Sequence, residues 1–352
     1  MKKRILVAPL HWGIGHACRC IPIIYDLLHY NFEVIIASDH DSLSLLKKEF
    51  PDLTHIQLPG YKVSYAKKKR LFKFHLLKQL PTIYKAIKEE HVITQEIIKT
   101  YKIDGIISDN RLGVYSKKVQ SVFVTHQLNV MTGTTSFLST KLHAYFINKF
   151  DFCWIPDFNE AYNLSGSLGH SSTKNIKIPI SYVGALSRFS YKKESLIYDI
   201  LIVLSGPEPQ REFLETQLRK VFINSKKTVL MVKGNVEEKE QKYKHGHFSE
   251  INFLTTSDLE KAINQSQLVI ARSGYTSIMD FAKLNKKVFF IPTPGQFEQN
   301  YLAKHLKKQH IAPFCQQDDF NINQLEKLKN YSGFGAFNFK NRLSEDLFRC
   351  FL

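Results

Sequence analysis

The chain has 352 residues, about twice the size of a typical domain, so we expect two domains with separate cores. Hydrophobic residues make up 43% of it and charged residues 23%, which is a globular composition and excludes a disordered protein. Apolar runs such as Ile200–Leu204 are far shorter than the roughly 20 residues that span a bilayer. The basic start Met1–Arg4 precedes an apolar run of only Ile5–Leu10, too short for a secretory signal, so we predict a cytoplasmic protein.

The formal net charge of +17 predicts attraction to an anionic partner, which is nucleic acid, a membrane surface or a phosphorylated substrate. Residues 53–88 contain nine Lys or Arg and no acidic residue, with Tyr and Phe interleaved. This stretch fits either a solvated helix face with a loop or a surface for anionic lipid head groups, and nucleic acid is the least favoured partner. The five cysteines are scattered and odd in number, so we expect reduced thiols.

Strand-like apolar runs alternate with helical stretches in both halves of the chain, which is typical of parallel α/β sheets. In the first half we predict strands near Arg4–Ala8, Glu33–Ala37, His55–Leu58, Ile103–Ser108, Ser121–Thr125, Phe152–Ile155 and Ser181–Val183. In the second half we predict strands near Asp199–Leu204, Thr228–Val232, Ile251–Leu254, Leu268–Ala271 and Val288–Ile291. The sequence therefore predicts an α/β protein with two doubly wound Rossmann-like domains and a cleft between them, because such sheets bind ligands at the carboxyl ends of their strands.

The polar, basic stretch Gly184–Glu194 is typical of a linker, which places the domain boundary near residue 190. We predict an N-terminal acceptor-side domain at 1–190 and a C-terminal donor domain at 191–335. Residues 342–352 carry apolar side chains at helical spacing, and we predict that 336–352 form a C-terminal helix that packs back on the body.

The segment from Ile270 to Asp280 follows a strand and leads into a helix. Gly274 is expected to permit a tight turn, and the helix N-terminus then offers backbone N–H donors to an anion such as a pyrophosphate. Ser273 and Thr276 supply hydroxyl groups at the same place. Asp280 shares a helical face with Thr276, where its carboxylate could accept both ribose hydroxyls. An ordinary capped helix with an exposed carboxylate is the alternative interpretation.

Together with the loop at 291–303, this segment resembles the donor half of glycosyltransferase family 28, which includes the peptidoglycan lipid-intermediate N-acetylglucosaminyltransferase and the galactolipid synthases. The family pattern has Ser-Gly at the turn, a ribose-binding carboxylate seven residues after the Ser, and a Pro-rich loop that ends in a Gln pair and reads sugar hydroxyls. Those positions are Ser273, Gly274, Asp280, Gln299 and Asn300. Asp replaces the usual Glu, and Asn replaces the second Gln. The resemblance implies a GT-B fold. We expect the donor site also to contain neighbouring residues of the two segments, namely Arg272, Tyr275, Thr276, Gln296 and Glu298.

Ser205 and Gly206 lie where the family has a second phosphate loop, so we expect the Ser205 hydroxyl and the Gly206 backbone to contact phosphate. A structural role is the alternative, because Pro207 and Pro209 suit the first turn of a helix.

In the first half, Gly13 and Gly15 resemble the first glycine loop of GT-B enzymes. His16 opens a helix, whose positive end disfavours the imidazolium and leaves a ring able to take a proton from an acceptor hydroxyl. In the alternative interpretation His16 only caps the helix or contacts phosphate. Asp109 follows a strand and could orient His16, as a similar Asp does in plant-type GT-B enzymes, or could simply cap that strand.

His126 and Gln127 follow another strand and are expected on the acceptor side. His245 and His247 lie in a charged loop and have no adjacent carboxylate or cysteine, so we predict no metal site. Helix termini would then neutralise the leaving pyrophosphate. No cofactor is expected beyond the nucleotide sugar as co-substrate.

The predicted function is metal-independent transfer of a sugar, with inversion, from a nucleotide-sugar donor, UDP-linked in our interpretation, to a lipid-linked or glycan hydroxyl. Residues 53–88 would hold the enzyme peripherally at the inner face of the membrane. One alternative is a nucleotide-sugar 2-epimerase that uses Glu208 and Glu298 as acid and base. The other is a non-catalytic nucleotide-sugar-binding protein.

Overall fold

The computed structural model describes residues 2–61, 72–171, 173–235 and 241–352, and the side chains of 72–80 are not considered. Two compact units make up the chain. Unit 1 consists of Met1–Asn159, Ser167–Leu186 and Lys340–Leu352, and unit 2 consists of Glu160–Gly166 and Ser187–Phe339. The passage into unit 2 thus follows Leu186, whereas the sequence pattern put the boundary near 190. Within the described ranges, no helix is long and apolar enough to cross a membrane.

Unit 1 is built on a seven-stranded parallel sheet of order β3-β2-β1-β4-β5-β6-β7. Its strands are β1 Arg4–Pro9, β2 Glu33–Ser38, β3 Thr54–Gln57, β4 Gly105–Asp109, β5 Gln120–Val124, β6 Phe152–Ile155 and β7 Ile180–Tyr182. Its α-helices are α1 Gly15–His29, α2 His40–Glu49, α3 Phe72–Tyr101 and α4 Ser136–Ile147. Short 3-10 turns occur at Gly133–Thr135 and Gly166–Leu168.

The central strands form because they are continuous apolar runs that can be buried on both faces. In β1 the side chains from Ile5 to Ala8 are fully buried, and Ile106 and Ile107 of β4 are buried beside them. The predicted strands of the first half are therefore all present, each within a few residues of its expected position.

Unit 2 is built on a six-stranded sheet of order β10-β11-β9-β8-β12-β13, parallel except for β10 against β11. Its strands are β8 Tyr198–Val203, β9 Val229–Val232, β10 Lys242–His245, β11 Phe248–Ile251, β12 Ser266–Ala271 and β13 Lys287–Phe290. Its α-helices are α5 Gln210–Phe222, α6 Thr256–Asn264, α7 Tyr275–Lys283 and α8 Phe297–Lys308. Turns of 3-10 helix occur at Gln317–Asp319 and Ile322–Asn330.

The hairpin β10–β11 corrects one sequence prediction. The strand expected at 251–254 lies instead at Phe248–Ile251, and β10 was not expected at all. All four residues of β10 are exposed, so this strand has no apolar alternation that a pattern could detect. Gly246 makes the turn at φ 56°, and Phe248 is fully buried where β11 pairs with β9.

The C-terminal segment belongs to unit 1 and differs from the predicted helix in extent and type. Only Glu345–Phe351 is helical, as a 3-10 helix, and Ser344 before it is extended. Phe348 and Phe351 are buried, with Phe348 in ring contact with Tyr30 and Trp154. Side-chain packing of two aromatic rings, and not a regular α-helix, therefore anchors the terminus.

Candidate functional site

Three polar side chains meet at the carboxyl edge of the unit 1 sheet. His16 lies in the first turn of α1 after β1, Asp109 is the last residue of β4, and His126 follows β5. Strands β1, β4 and β5 are neighbours in the sheet, so their ends lie side by side. The backbone N–H of Leu10 also donates to the carbonyl of Asp109 at 2.9 Å, which joins the two loops.

The structure brings His16 and Asp109 together. The distance from His16 Nδ1 to Asp109 Oδ1 is 2.8 Å; the carboxylate is fully buried and the imidazole is 15% exposed. An ionised carboxylate can only accept, so the proton of the ring lies on Nδ1 and the lone pair on Nε2. This is the arrangement in which an Asp orients a general base.

Arg19 is a member of this cluster that the sequence pattern did not predict. It lies one helical turn after His16, is 1% exposed, and donates through Nε and Nη2 to the two carboxylate oxygens of Asp109. Its Nη1 is 3.0 Å from His126 Nδ1. The detectable signal was an arginine on the apolar stretch of α1, three residues after a candidate base, where only a buried acceptor could accommodate the charge.

Burial and Arg19 together set the charge state of this cluster. Burial lowers the pKa of His16, and the Arg19 guanidinium lowers it further, against the raising effect of Asp109. For Asp109, burial raises the pKa, but Arg19 and His16 outweigh it and hold the pKa well below its usual range. The sequence argument for an unprotonated His16 rested on the helix N-terminus, whereas the structure provides burial and a neighbouring cation as causes.

The loop before α1 leaves room for a ligand. Gly13 has φ +79°, a conformation that favours glycine, and no atom of the described residues lies within 4 Å of where its β-carbon would be. Gly15 is the first residue of α1, and the side chains of Trp12 and Ile14 are exposed beside it. On the neighbouring strand end, His126 is buried and Gln127 is half-buried, with its N–H on Thr125 Oγ1 at 3.1 Å.

In unit 2, the loops after β8, β12 and β13 converge, since these strands are also neighbours in their sheet. The Ser273 hydroxyl donates to the carbonyl of Gln299 at 2.8 Å. The N–H of Thr293 donates to Gln299 Oε1 at 2.8 Å. This bond leaves the two N–H donors of the amide Nε2 and one lone pair of Oε1 of Gln299 for other partners. Ser273 and Gln299 therefore join the loops to each other as well as lying in the expected site.

Arg272 lies beneath these loops and not in the ligand contact that the resemblance implied. Its guanidinium is 1% exposed and donates to the carbonyls of Ile291 and Pro292 at 3.1 Å each and of Gln210 at 2.8 Å. It also donates to Gln317 Oε1. Burial lowers the pKa of Arg272 to about 10. The side chain holds the ends of β12 and β13 to the start of α5, which is a structural role.

Gly274 is the N-cap of α7. We expected glycine there because of a tight turn, and that reason is wrong. Its φ of −71° is available to any residue, so no tight turn requires a glycine. A β-carbon there would meet only Ser277 Oγ, at 4.0 Å, among the described atoms. The helix N-terminus beside it is thus open to an approaching group.

Gly206 does require glycine, because its φ is +107°. Its β-carbon would lie 3.8 Å from Thr293 Oγ1, a buried hydroxyl oxygen with no hydrogen-bond partner in the described part of the chain. Ser205 beside it is exposed. A buried polar atom without a partner is costly, so the junction of the β8 and β13 loops is a place where a polar ligand would be stabilised.

Asp280 is only 8% exposed, and the hydroxyl of Ser187 donates to its Oδ1 at 2.6 Å. Burial raises the pKa of Asp280 to about 6, against the lowering effects of Arg188 and of the Ser187 hydrogen bond. Its carboxylate is therefore a buried group with a raised pKa, and not the exposed one of the alternative interpretation.

The remaining donor-side residues differ in their surroundings. Tyr275 is buried in the first turn of α7, so its ring packs inside unit 2. Gln296 is the N-cap of α8, and Asn300 Nδ2 donates to its carbonyl at 2.9 Å. Thr276 and Glu298 are half-buried in the first turns of α7 and α8. Glu208, one candidate acid of the epimerase alternative, is paired with Arg211 and accepts from a backbone N–H of α5.

Comparisons with known proteins agree with this geometry. Residues 200–330 match the glycosyltransferase family 28 C-terminal domain. A UDP-N-acetylglucosamine--N-acetylmuramyl-(pentapeptide) pyrophosphoryl-undecaprenol N-acetylglucosamine transferase of Haemophilus ducreyi is 21% identical over 92% of this chain and 88% of the relative. A similar transferase of Haemophilus influenzae is 23% identical over 94% of this chain and 90% of the relative.

The solved structures most informative about the fold are glycosyltransferases. The spinosyn forosaminyltransferase SpnP superposes with a TM-score of 0.63 and 11% identity over 96% of this chain and 92% of that chain. The fold is thus the GT-B fold of these glycosyltransferases. The chain is such an enzyme, and it is similar to glycosyltransferase family 28, as the donor motif implied.

Proposed function

We propose that the chain transfers a sugar from a UDP-linked donor to a hydroxyl of a lipid-linked acceptor, without a metal ion and with inversion at the anomeric carbon. The observation that carries the donor half is the convergence of the β8, β12 and β13 loops beside the open N-terminus of α7, inside the stretch that matches family 28. The names of the relatives, with a UDP-sugar and an undecaprenol-linked acceptor, support both substrates.

In this proposal the pyrophosphate lies against the N-terminus of α7 and the backbone of Gly206, where N–H donors and the helix dipole favour negative charge. Asp280 accepts the ribose hydroxyls, and Gln299 and Asn300 contact the sugar. No group of three or more His, Cys, Asp or Glu side chains in the described ranges is placed to hold a metal ion. The leaving group would be stabilised by backbone donors of the protein.

The chemistry needs one proton transfer and one displacement. His16 Nε2 takes the proton of the acceptor hydroxyl while the hydroxyl oxygen attacks the anomeric carbon from the side opposite the nucleotide. The bond from that carbon to the β-phosphate oxygen breaks, and its electron pair leaves with UDP. Asp109 holds the imidazole in the orientation and tautomer that this step requires.

The apolar face of α4 supports a lipid acceptor over a water-soluble glycan. Phe137 is 80% exposed, and Leu138, Leu142 and Tyr145 are exposed with it on one side of the helix. Lys141 lies within this face, and Lys149 is 4.7 Å from the ring of Tyr145. Exposed aromatic and apolar side chains beside cations are suited to an anionic lipid surface, and the net charge of +17 has the matching sign.

Membrane attachment through residues 53–88 remains a proposal based on composition. Residues 62–71, which include its four consecutive cations, lie outside the described residues. With α4, the stretch would place the enzyme peripherally at the inner face of the membrane.

A release assay tests the proposed function. Purified protein is incubated with UDP-, GDP- and TDP-sugars and a total lipid extract, and nucleotide release and labelled lipid product are measured. The expected result is UDP release that depends on both a UDP-sugar and the lipid fraction. A UDP-sugar that binds, by calorimetry, without turnover on any lipid or glycan fraction would support the non-catalytic alternative instead.

A further inference from the structure

Arg19 contacts three members of the unit 1 cluster at once, and the transfer step described above does not use it. We propose that Arg19 is a positioning residue that fixes two histidines in opposite tautomers, His16 with its lone pair at Nε2 and His126 with its proton at Nε2. The consequence for catalysis rests on the proposed function, whereas the tautomers themselves do not.

The assignment for His126 follows from the donor character of arginine. A guanidinium has N–H groups and no acceptor, so the His126 Nδ1 that lies 3.0 Å from Arg19 Nη1 must accept. The ring proton of His126 is then on Nε2, and the side-chain nitrogen of Gln127, which lies 3.5 Å away and is itself a donor, makes no hydrogen bond to it. Both residues were expected on the acceptor side, so His126 offers a hydrogen-bond donor there.

The assignment for His16 follows from the oxygen that it shares with Arg19. Arg19 Nη2 and His16 Nδ1 are 2.9 Å apart because both point at Asp109 Oδ1. A lone pair on Nδ1 would face the carboxylate oxygen, so the proton lies on Nδ1 and both nitrogens donate. The lone pair of His16 is left at Nε2, where a base needs it.

Arg19 also offsets the charge of Asp109 without removing the hydrogen bond by which Asp109 orients the ring of His16. A carboxylate beside a histidine normally favours the imidazolium, but here the guanidinium neutralises Asp109 while Asp109 still orients the ring. The charged and titratable groups that face His16 and Asp109 are Arg19 and Cys20 of α1, Asp109 of β4 and His126 after β5. Burial is the largest cause that lowers the pKa of His16, and Arg19 is the cation of the cluster that lowers it further.

Three variants separate these effects. Arg19→Gln removes the positive charge and the planar set of guanidinium N–H donors. Arg19→Lys keeps the positive charge and removes the planar set of guanidinium N–H donors. Arg19→Gln combined with Asp109→Asn removes both charges, so that a folded protein is obtained even if a lone buried carboxylate is not tolerated.

The readout that needs no activity is nuclear magnetic resonance of ¹⁵N-labelled histidine side chains, with His16→Gln and His126→Gln for assignment. The expected spectrum of the wild type has the His16 proton on Nδ1 and the His126 proton on Nε2. In Arg19→Gln the apparent pKa of His16 is expected to rise. In all three variants His126 is expected to show a mixture of its Nδ1–H and Nε2–H tautomers. A wild-type His126 with its proton on Nδ1, or an unmoved His16 titration in Arg19→Gln, would overturn the proposal.

Turnover gives the second readout. For Arg19→Gln we expect activity lower by roughly tenfold near pH 6 to 7, with recovery toward pH 9 as His16 loses its proton. A loss that is equal at every pH, with unchanged His16 titration, would indicate a structural role only. If the tautomers are as proposed and no transfer occurs with any donor, the proposed function fails while the role of Arg19 stands.

Discussion

The hydroxyl of Ser187 donates a hydrogen bond of 2.6 Å to Oδ1 of Asp280, the carboxylate that the family resemblance assigns to the ribose. Both residues belong to unit 2, and Ser187 is its first residue after Leu186. Because the carboxylate is buried, this hydroxyl is the donor that partly offsets its lost hydration. A ribose hydroxyl of the nucleotide would make the same kind of bond to this carboxylate.

The first prediction concerns stability. The pKa of Asp280 is raised from 3.8 to about 6 in the folded protein, so the unfolded chain loses this proton first as pH rises. Between those values the folded state binds more protons, and stability falls with rising pH by a total of about 3 kcal/mol. Asp280→Asn, which keeps an acceptor for Ser187, should therefore be more stable than wild type by up to that amount above pH 7. The gain should vanish below pH 4.

Urea unfolding at several pH values from 4 to 8 measures this difference, with the exposed Asp52→Asn as the matched control. Equal stability of wild type and Asp280→Asn at pH 8 would contradict the burial argument.

The second prediction concerns donor affinity. An ionised Asp280 should accept ribose hydroxyls through charge-assisted bonds, so Asp280→Ala should weaken UDP-sugar binding by about 1 to 3 kcal/mol, roughly tenfold to a hundredfold. Wild-type affinity should also fall as pH drops below 6, because the carboxyl becomes protonated and loses its charge. Calorimetry with a UDP-sugar measures both. Asp280→Asn is the control, since its affinity should lack this pH dependence.

The third prediction separates two glycines. Gly274→Ala should fold with a stability change of no more than about 1 kcal/mol, because φ is −71° and the β-carbon has room. The added methyl group would nevertheless stand at the N-terminus of α7, so UDP-sugar affinity should fall. Gly206→Ala should instead lose about 1 to 3 kcal/mol of stability, since its φ is +107°. Thermal unfolding and calorimetry distinguish the two, and a Gly274→Ala protein with normal affinity would exclude the pyrophosphate position.

The fourth prediction concerns the base. His16→Ala should reduce turnover by about 10² to 10⁴-fold while UDP-sugar affinity stays near that of wild type, because the side chain takes the acceptor proton and lies in unit 1. Asp109→Asn should lose less, since the ring stays in place with a weaker orienting bond. A His16→Ala enzyme with normal turnover would mean that His16 is not the base.

The fifth prediction concerns the α4 face. Phe137→Ser combined with Leu138→Ser should weaken binding to anionic vesicles by about tenfold or more, from lost apolar burial in the lipid surface. Phe213→Ser, on an exposed position of α5 in unit 2, is the matched control and should bind as wild type does. Vesicle sedimentation measures both, and equal binding of the α4 variant and its control would exclude α4 as the membrane surface.

Neutralising Lys67, Lys68, Lys69 and Arg70 tests the basic stretch in the same assay. We expect weaker binding and a smaller dependence on salt, because 0.1 M salt screens the attraction between charges beyond a Debye length of about 10 Å. If the four substitutions leave vesicle binding unchanged, the basic stretch is not a membrane-binding surface, and α4 is the remaining candidate.

The sequence by itself determined the two α/β sheets, because each buried parallel strand is a local apolar run, and it located the donor motif from Ser273 to Asp280, whose residues are close along the chain. It also named His16 and Asp109, since both stand at strand ends. The tertiary structure alone decided the order β2-β1-β4-β5, and this order brings Arg19, Asp109 and His126 within hydrogen-bond distance. No local pattern contains that order.

For the same reason the sequence could not place Arg272 beneath the loops or Ser187 on Asp280. The sequence of a motif is the same whether the side chain of a polar residue in it faces a ligand or a buried carbonyl. Burial decides between the two, and burial depends on which distant segments cover the residue.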